Sequence, residues 1–199
     1  MASEAEARIR DKAEIFLRRH WPDARIVHEF EVGGARLDLA AITEDRLILV
    51  EIKSEKDTLS RLDNQVRRSD FIGGLTFVMI AERWIDQMPP LGYRTIGLVE
   101  DGDGFSQFIG RGRRFALTPH HLCPTKDRYN SRALMGLLLK PELYAMGKPH
   151  GAKTKHDVSE LQHIVHENLT GREIRRGVMA ALRARHFGWA CDAPIKLAA

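Results

Sequence analysis

The chain has 199 residues, 43% hydrophobic and 29% charged, with 31 Lys+Arg against 27 Asp+Glu. That balance suits one domain, or one domain with a small appendage, and excludes wholesale disorder. No run approaches the roughly 18 consecutive apolar residues of a membrane-spanning helix, and the charged N-terminus (Glu4, Glu6, Arg8, Arg10, Asp11) is unlike a secretory signal. The two cysteines, Cys123 and Cys191, have no CxxC spacing, so neither a disulfide framework nor a cysteine zinc site is indicated and a cytoplasmic protein is expected.

Residues 3–20 carry Ile9, Ala13, Phe16 and His20 at helical spacing, with Glu6 on the same stripe, and Trp21-Pro22 ends the helix. Three strands follow, 25–32, 35–43 and 46–53, separated by Gly33-Gly34 and Glu44-Asp45; the run Leu47–Val50 is apolar on both parities, as in a strand covered on both faces. A helix is predicted over 58–71, with Asp57 or Thr58 as N-cap and Leu59, Leu62 and Val66 buried, stopped by Gly73-Gly74. Strands at 75–81 and 95–100 flank a short helix at 82–88, and this alternation implies a parallel component in a mixed sheet. An edge strand is expected within 105–117. Short helices at 134–139 and 141–146 follow, and then a helical hairpin over 157–168 and 170–185, where Thr170 and Glu173 form a capping box. Arg172, Arg175, Arg176, Arg183 and Arg185 give that hairpin one basic side.

Charge is unevenly distributed. Residues 1–104 hold 15 basic and 20 acidic side chains, and residues 105–199 hold 16 and 7. Carboxylates for a cation in the front half and a grip on a polyanion in the back half fit this pattern, as does plain surface solubility. The expected organisation is a core over 1–115 and a basic helical region over 116–199 that binds nucleic acid or a partner.

The chemistry concentrates in Arg36-Leu37-Asp38-Leu39-Ala40 and Leu49-Val50-Glu51-Ile52-Lys53. If Glu44-Asp45 is a two-residue hairpin loop, Thr43 faces Arg46 and Asp38 lies directly across from Glu51. Opposed side chains have Cβ atoms roughly 4.5–5.5 Å apart, where like charges repel unless a cation sits between them. Lys53, two residues beyond Glu51, projects from the same face. Hard oxygen ligands without sulfur or clustered imidazoles favour Mg²⁺ or Mn²⁺. With a lysine to orient water and offset transition-state charge, the set describes phosphodiester hydrolysis. A strand-edge cap at Asp38 and a surface Glu51–Lys53 pair is the structural alternative.

A helix bearing an acid, a strand, a Gly-Gly turn, a strand with Leu-Asp, a strand with Val-Glu-Ile-Lys-Ser and a helix with Gln65 together resemble the PD-(D/E)XK nuclease superfamily. The string EIKSEKDTLSRLDNQV resembles a small bacterial and phage family within it, and GLVE and the C-terminal helices are also similar. The resemblance covers most of the chain and is strongest over 29–72. It implies an α/β, restriction-endonuclease-like mixed sheet flanked by helices, with a helical C-terminal region, and Mg²⁺-dependent cleavage of DNA. Asp38 and Glu51 would be metal ligands with the Ile52 carbonyl, and Lys53 the catalytic lysine. Leu37 stands where the superfamily name has proline.

Thr58, Arg61, Gln65 and Arg68 share one helical stripe. The resemblance implies that Gln65 holds a phosphate or a water, the alternative being a solvent-facing helix row, and that Glu6, with Glu14 as its competitor, reaches the metal, the alternative being an ordinary solvated glutamate. Arg36, Arg61, Arg68, Arg111, Arg113 and Arg114 are the expected phosphate contacts. The resulting expectation is an Mg²⁺- or Mn²⁺-dependent deoxyribonuclease, endonuclease rather than exonuclease, that binds DNA and can form a homodimer. The rivals are a catalytically inactive DNA-binding or regulatory module of the same fold and a nuclease that cleaves RNA.

Overall fold

A computed structural model describes residues 4–91, 94–109, 113–118, 122, 129–188 and 192–195. Its centre is a seven-stranded sheet in sequential order: β1 (Arg25–Val32), β2 (Ala35–Ile42), β3 (Leu47–Lys53), β4 (Leu75–Ile80), β5 (Thr95–Asp101), β6 (Gly104–Ile109) and β7 (Arg113–Phe115). The inner pairs β3–β4 and β4–β5 are parallel, and the outer pairs are antiparallel. The helices are α1 (Glu4–His20), α2 (Leu62–Ile72), α3 (Ser131–Met135), α4 (Lys140–Gly147), α5 (Val158–Asn168) and α6 (Gly171–Ala184). Among the described residues no helix is long and apolar enough to cross a membrane.

Turn chemistry sets the register of the first three strands. Gly33 and Gly34 both take positive φ, 54° and 83°, the primed geometry that matches strand twist in a two-residue hairpin. Val32 therefore pairs with Ala35, and the ladder runs back to Arg25 opposite Ile42. The second loop has no glycine. There Thr43 Oγ1 accepts from Arg46 N at 2.9 Å and from Asp45 N at 3.3 Å, closing the same short turn. Ile42 then faces Leu47 and Leu39 faces Val50, the register that a two-residue Glu44-Asp45 loop predicts.

β3 is buried along its whole length because both faces are covered. α1 brings Ile9, Ala13 and Leu17 to a cluster with Ile48, Val50 and Ile52. On the other parity, Leu47 and Leu49 join Leu134, Leu143, Leu161 and Val178 from the C-terminal helices. Each fully buried leucine, isoleucine or valine among them contributes about 1.5–3 kcal/mol by leaving water. The chain on the two sides of residue 115 thus shares a core, and Tyr129 ties it further: its hydroxyl accepts from Leu47 N at 3.0 Å.

Two local expectations are corrected. The helix after β3 begins at Leu62 rather than 58, and its N-cap position is Arg61 with no side-chain cap. Asp57 is spent earlier, accepting from Ser54 N at 2.7 Å and Ser54 Oγ at 2.6 Å, which closes a turn before the helix starts. The hairpin α5–α6 has the expected capping box at Thr170/Glu173 and a second one at Asp157/Glu160, but its arginines do not form one exposed basic side. Arg183 is buried, and Arg185 turns inward to Glu142 and the Leu137 carbonyl, while Arg172 and Arg176 stay exposed.

Candidate active site

Extending the two hairpin registers places Glu29 across from Asp38 and Asp38 across from Glu51, three acids in one row over β1, β2 and β3. The inward alternation changes at this row. In β1, Val27 before it and Phe30 and Val32 after it share one cluster; in β2, Leu37 joins the cluster of Ala40 and Ile42, whereas Leu39 and Ala41 join the other. The backbone cause is visible at Glu29, which holds φ at 52°. A non-glycine residue there carries strain on the order of 1–3 kcal/mol. Beyond Leu39/Val50 the ladder gives way to a side chain: Asp38 Oδ2 accepts from Ile52 N at 2.7 Å. The strands part, and a cleft of about 470 Å³ opens at the carboxyl end of β3, lined by Glu6, Glu29, Asp38, Glu51, Lys53 and Gln65 among others. Open α/β sheets place their sites at such strand ends.

Glu51 and Lys53 are almost completely buried, 2% and 5% exposed. Lys53 Nζ donates to Glu51 Oε1 at 2.5 Å and to Gln65 Oε1 at 3.4 Å. Gln65 Nε2 in turn donates to the Arg36 carbonyl at 3.0 Å, so the amide is fixed at both ends. The other carboxylate oxygen of Glu51, Oε2, is buried without a hydrogen-bond partner. Burial, reinforced by the neighbouring Asp38 charge, pushes the Glu51 carboxyl up to about 7 against the pull of Lys53. Burial also raises Asp38, opposed by the Ile52 N–H and by Arg10.

Arg10 is one of two site residues that sequence reasoning does not reach. From α1 its Nη2 donates to Glu6 Oε1 at 2.9 Å, Asp38 Oδ1 at 3.0 Å and Glu29 Oε1 at 3.4 Å, and its Nη1 donates to the Asp38 carbonyl at 3.1 Å. Glu29 was also missed, although the Gly33-Gly34 loop locates it by the same count that pairs Asp38 with Glu51. The signal for Arg10 was its i,i+4 spacing from Glu6.

The cleft brings together Asp38, Glu51, Ile52, Lys53, Gln65, Glu6, Arg36 and Arg61. Arg36 is well exposed and pairs with Glu29 at 2.9 Å. Glu14, the competitor of Glu6, is engaged elsewhere, with His28 Nε2 at 3.1 Å. Arg68 does not line the cleft; it lies exposed over the Gly33 turn. Arg113 and Arg114 stand exposed on β7, four strands from β3 and therefore roughly 19 Å across the sheet, with Arg114 paired to Glu82. They belong to a different part of the surface from the cleft. Arg111 lies outside the described residues.

Whether the cleft suits a divalent cation can be judged from its donors. Among the described residues no three His, Cys, Asp or Glu side chains form a group able to hold a metal ion, and Glu6 is bound to Arg10. Two carboxylates remain, Asp38 and Glu51, of which only Glu51 has a partnerless buried oxygen, Oε2, and Mg²⁺ is commonly held by one or two carboxylates, with waters and substrate phosphate completing its shell. Glu51 and the Ile52 backbone fit that requirement as they stand; Asp38, with Oδ1 on Arg10 and Oδ2 on Ile52 N, fits it once Arg10 lets go, and Glu6, held by the same guanidinium, does not add to it.

A family model described as Bacteriophage P4 protein cII matches residues 2–188. No curated protein matches the chain. A solved structure described as the SPO1766 protein of unknown function from Silicibacter pomeroyi is 16% identical, with a TM-score of 0.37 over 78% of this chain and 100% of that one. The chain belongs to the bacteriophage P4 cII protein family.

Proposed function

We propose that this member of the bacteriophage P4 cII family is a cytoplasmic, divalent-metal-dependent nuclease that hydrolyses DNA phosphodiester bonds on a restriction-endonuclease-like core. The observation that carries the reading is the convergence of Asp38, Glu51 and Lys53 at the carboxyl end of β3, with Glu51 Oε2 buried and partnerless. A carboxylate oxygen in that state costs about 1–3 kcal/mol, and a hard cation offsets the cost.

Asp38 and Glu51, with the Ile52 backbone, are the residues that hold Mg²⁺ or Mn²⁺. Bound there, the ion supplies positive charge that polarises a phosphoryl oxygen and acidifies water. Lys53 keeps its ammonium 2.5 Å from Glu51 Oε1, where it orients the attacking water and offsets charge developing on the phosphate. Gln65 acts through Lys53 as a positioning residue, anchored by the Arg36 carbonyl. Arg36 and Arg61, exposed on the rim, grip backbone phosphates, which fixes the nucleic acid without reading its sequence.

The test is incubation with plasmid, linear and single-stranded DNA and with RNA, in Mg²⁺, Mn²⁺ or EDTA. Cleavage is expected with either metal and absent in EDTA, and Asp38→Ala and Lys53→Ala each lower it by about 10²–10³-fold or more. Identical behaviour of wild type and both variants on every substrate overturns the reading. It leaves the binding module as the answer, a reading favoured by the way Arg10 already neutralises Asp38. Such a module retains DNA in all metals with no turnover.

A further inference from the structure

We propose that Arg10 is a built-in counter-ion that occupies the cation's place in the cleft and must release Asp38 for a divalent ion to bind. The inference rests on the metal reading above and adds to it a competition between a side chain and the ion.

The geometry is that of a substitute cation. One guanidinium nitrogen, Nη2, touches three carboxylates from three elements: Glu6 of α1, Glu29 of β1 and Asp38 of β2. Its side chain is 12% exposed, so this charge is largely withdrawn from water. The row Glu29, Asp38, Glu51 would otherwise set like charges on adjacent strands, an arrangement that is destabilising without compensation. Arg10 supplies the compensation on the Glu29–Asp38 side, and Lys53 supplies it at Glu51.

The charges nevertheless remain unbalanced. Five carboxylates, from Glu6, Glu29, Asp38, Glu51 and Asp57, face four cationic groups, from Arg10, Arg36, Lys53 and Arg61. Glu51 is 98% buried, and its Oε2 is unpartnered in the same cleft. A doubly charged ion can satisfy Glu51 Oε2 and Asp38 together only if Asp38 Oδ1 leaves Arg10. The exchange needs little movement. Asp38 Oδ2 can stay on Ile52 N, and Arg10 keeps Glu6 and Glu29 as partners. Arg10 thereby keeps the cation-free cleft folded and sets a threshold concentration for loading.

Titration calorimetry with Mn²⁺ alone, on wild type, Asp38→Asn and Arg10→Met, tests the competition without using activity. Asp38→Asn is expected to lose binding, and Arg10→Met to bind at least tenfold more tightly than wild type. Arginine side-chain NMR of the wild-type protein provides a readout that does not depend on the variant folding. Saturating Mg²⁺ is expected to shift the Arg10 guanidinium resonances and to speed their proton exchange. If wild type binds Mn²⁺ through Asp38 but Arg10→Met binds no more tightly, or the Arg10 resonances ignore Mg²⁺, the competition is wrong and the metal reading stands. If neither wild type nor Arg10→Met binds either ion, the metal reading fails and the competition fails with it.

Discussion

Two arginines, fifteen residues apart in sequence, one buried and one only partly withdrawn from water, show how the partners of a charge decide what it is for. Arg25, at the start of β1 and 0% exposed, donates to the carbonyls of Leu182, Arg183, Arg185 and Asp192 at 2.6–3.1 Å. It closes the carboxyl end of α6, whose last carbonyls lack helical partners, and its guanidinium lies 5.2 Å from the Phe187 ring centroid. Carbonyl oxygens carry no net charge and do not titrate, so nothing in solution competes for them on equal terms. Arg10 is held by carboxylates in an open cleft, and carboxylates are the ligands a hard cation seeks. The first arginine is a bolt between the sheet and the C-terminal helices; the second is an exchangeable ion tethered to α1.

The largest effect that separates them is on stability. Arg25→Met is expected to cost about 3–5 kcal/mol, because it strands buried carbonyls that have been withdrawn from water, and urea unfolding in EDTA will report it. A loss under about 1 kcal/mol would show that the C-terminal helices are held by apolar packing alone and would erase the contrast.

The cleft, unlike the bolt, should respond to pH. The Glu51 carboxyl sits at about 7 in the folded protein and near 4.5 when unfolded. Between those values the folded state keeps a proton that the unfolded state has released. Its contribution to stability is therefore full below pH 4.5 and is lost as pH rises through 7, by at most about 3 kcal/mol. Unfolding of the metal-free protein at pH 5 and pH 8 measures this loss. Glu51→Gln is expected to flatten the difference, and an unchanged slope in that variant would assign the pH dependence to other groups.

The smallest expected change is Arg10→Met in EDTA, about 1 kcal/mol of destabilisation at low salt. The three carboxylates it leaves behind can take up water from the open cleft and are screened by added salt. Saturating Mg²⁺ is expected to restore that loss, whereas Arg25→Met gains no comparable recovery. Recovery of both variants to the same degree would mean that the ion stabilises the whole fold rather than the cleft.

Much of the site was legible in the residues alone. Two hairpins with two-residue loops and a strand period of two suffice to set Asp38 against Glu51 and Lys53 on the same parity as Glu51, and the same count, extended to Gly33-Gly34, brings in Glu29. Gln65 was legible as a polar member of a helix beside the site, though its role as an anchor between Lys53 Nζ and the Arg36 carbonyl was not. The start of α2 is not legible in the sequence because Asp57 can serve a turn or a helix equally well, and only its bonds to Ser54 decide between them. Arg183 and Arg185 look like surface charge in the sequence because it gives donors without the carbonyls and carboxylates that come to meet them.

The amino-acid order by itself determined the first five strands, the register of β2 against β3 and the facing of Asp38 and Glu51, because these follow from interactions between near neighbours: turn geometry, side-chain alternation and hydrogen-bond pairing across short loops; the single edge strand expected within 105–117 is two strands, β6 and β7. Tertiary structure alone decided where α1 docks, and so which cation reaches Asp38. It also decided which C-terminal arginines face inward. Helical spacing gives the face of a helix but leaves open its position along the sheet, which depends on the packing of Ile9, Ala13 and Leu17 against strands far along the chain. Arg10 reaches the acids only as a consequence of that packing.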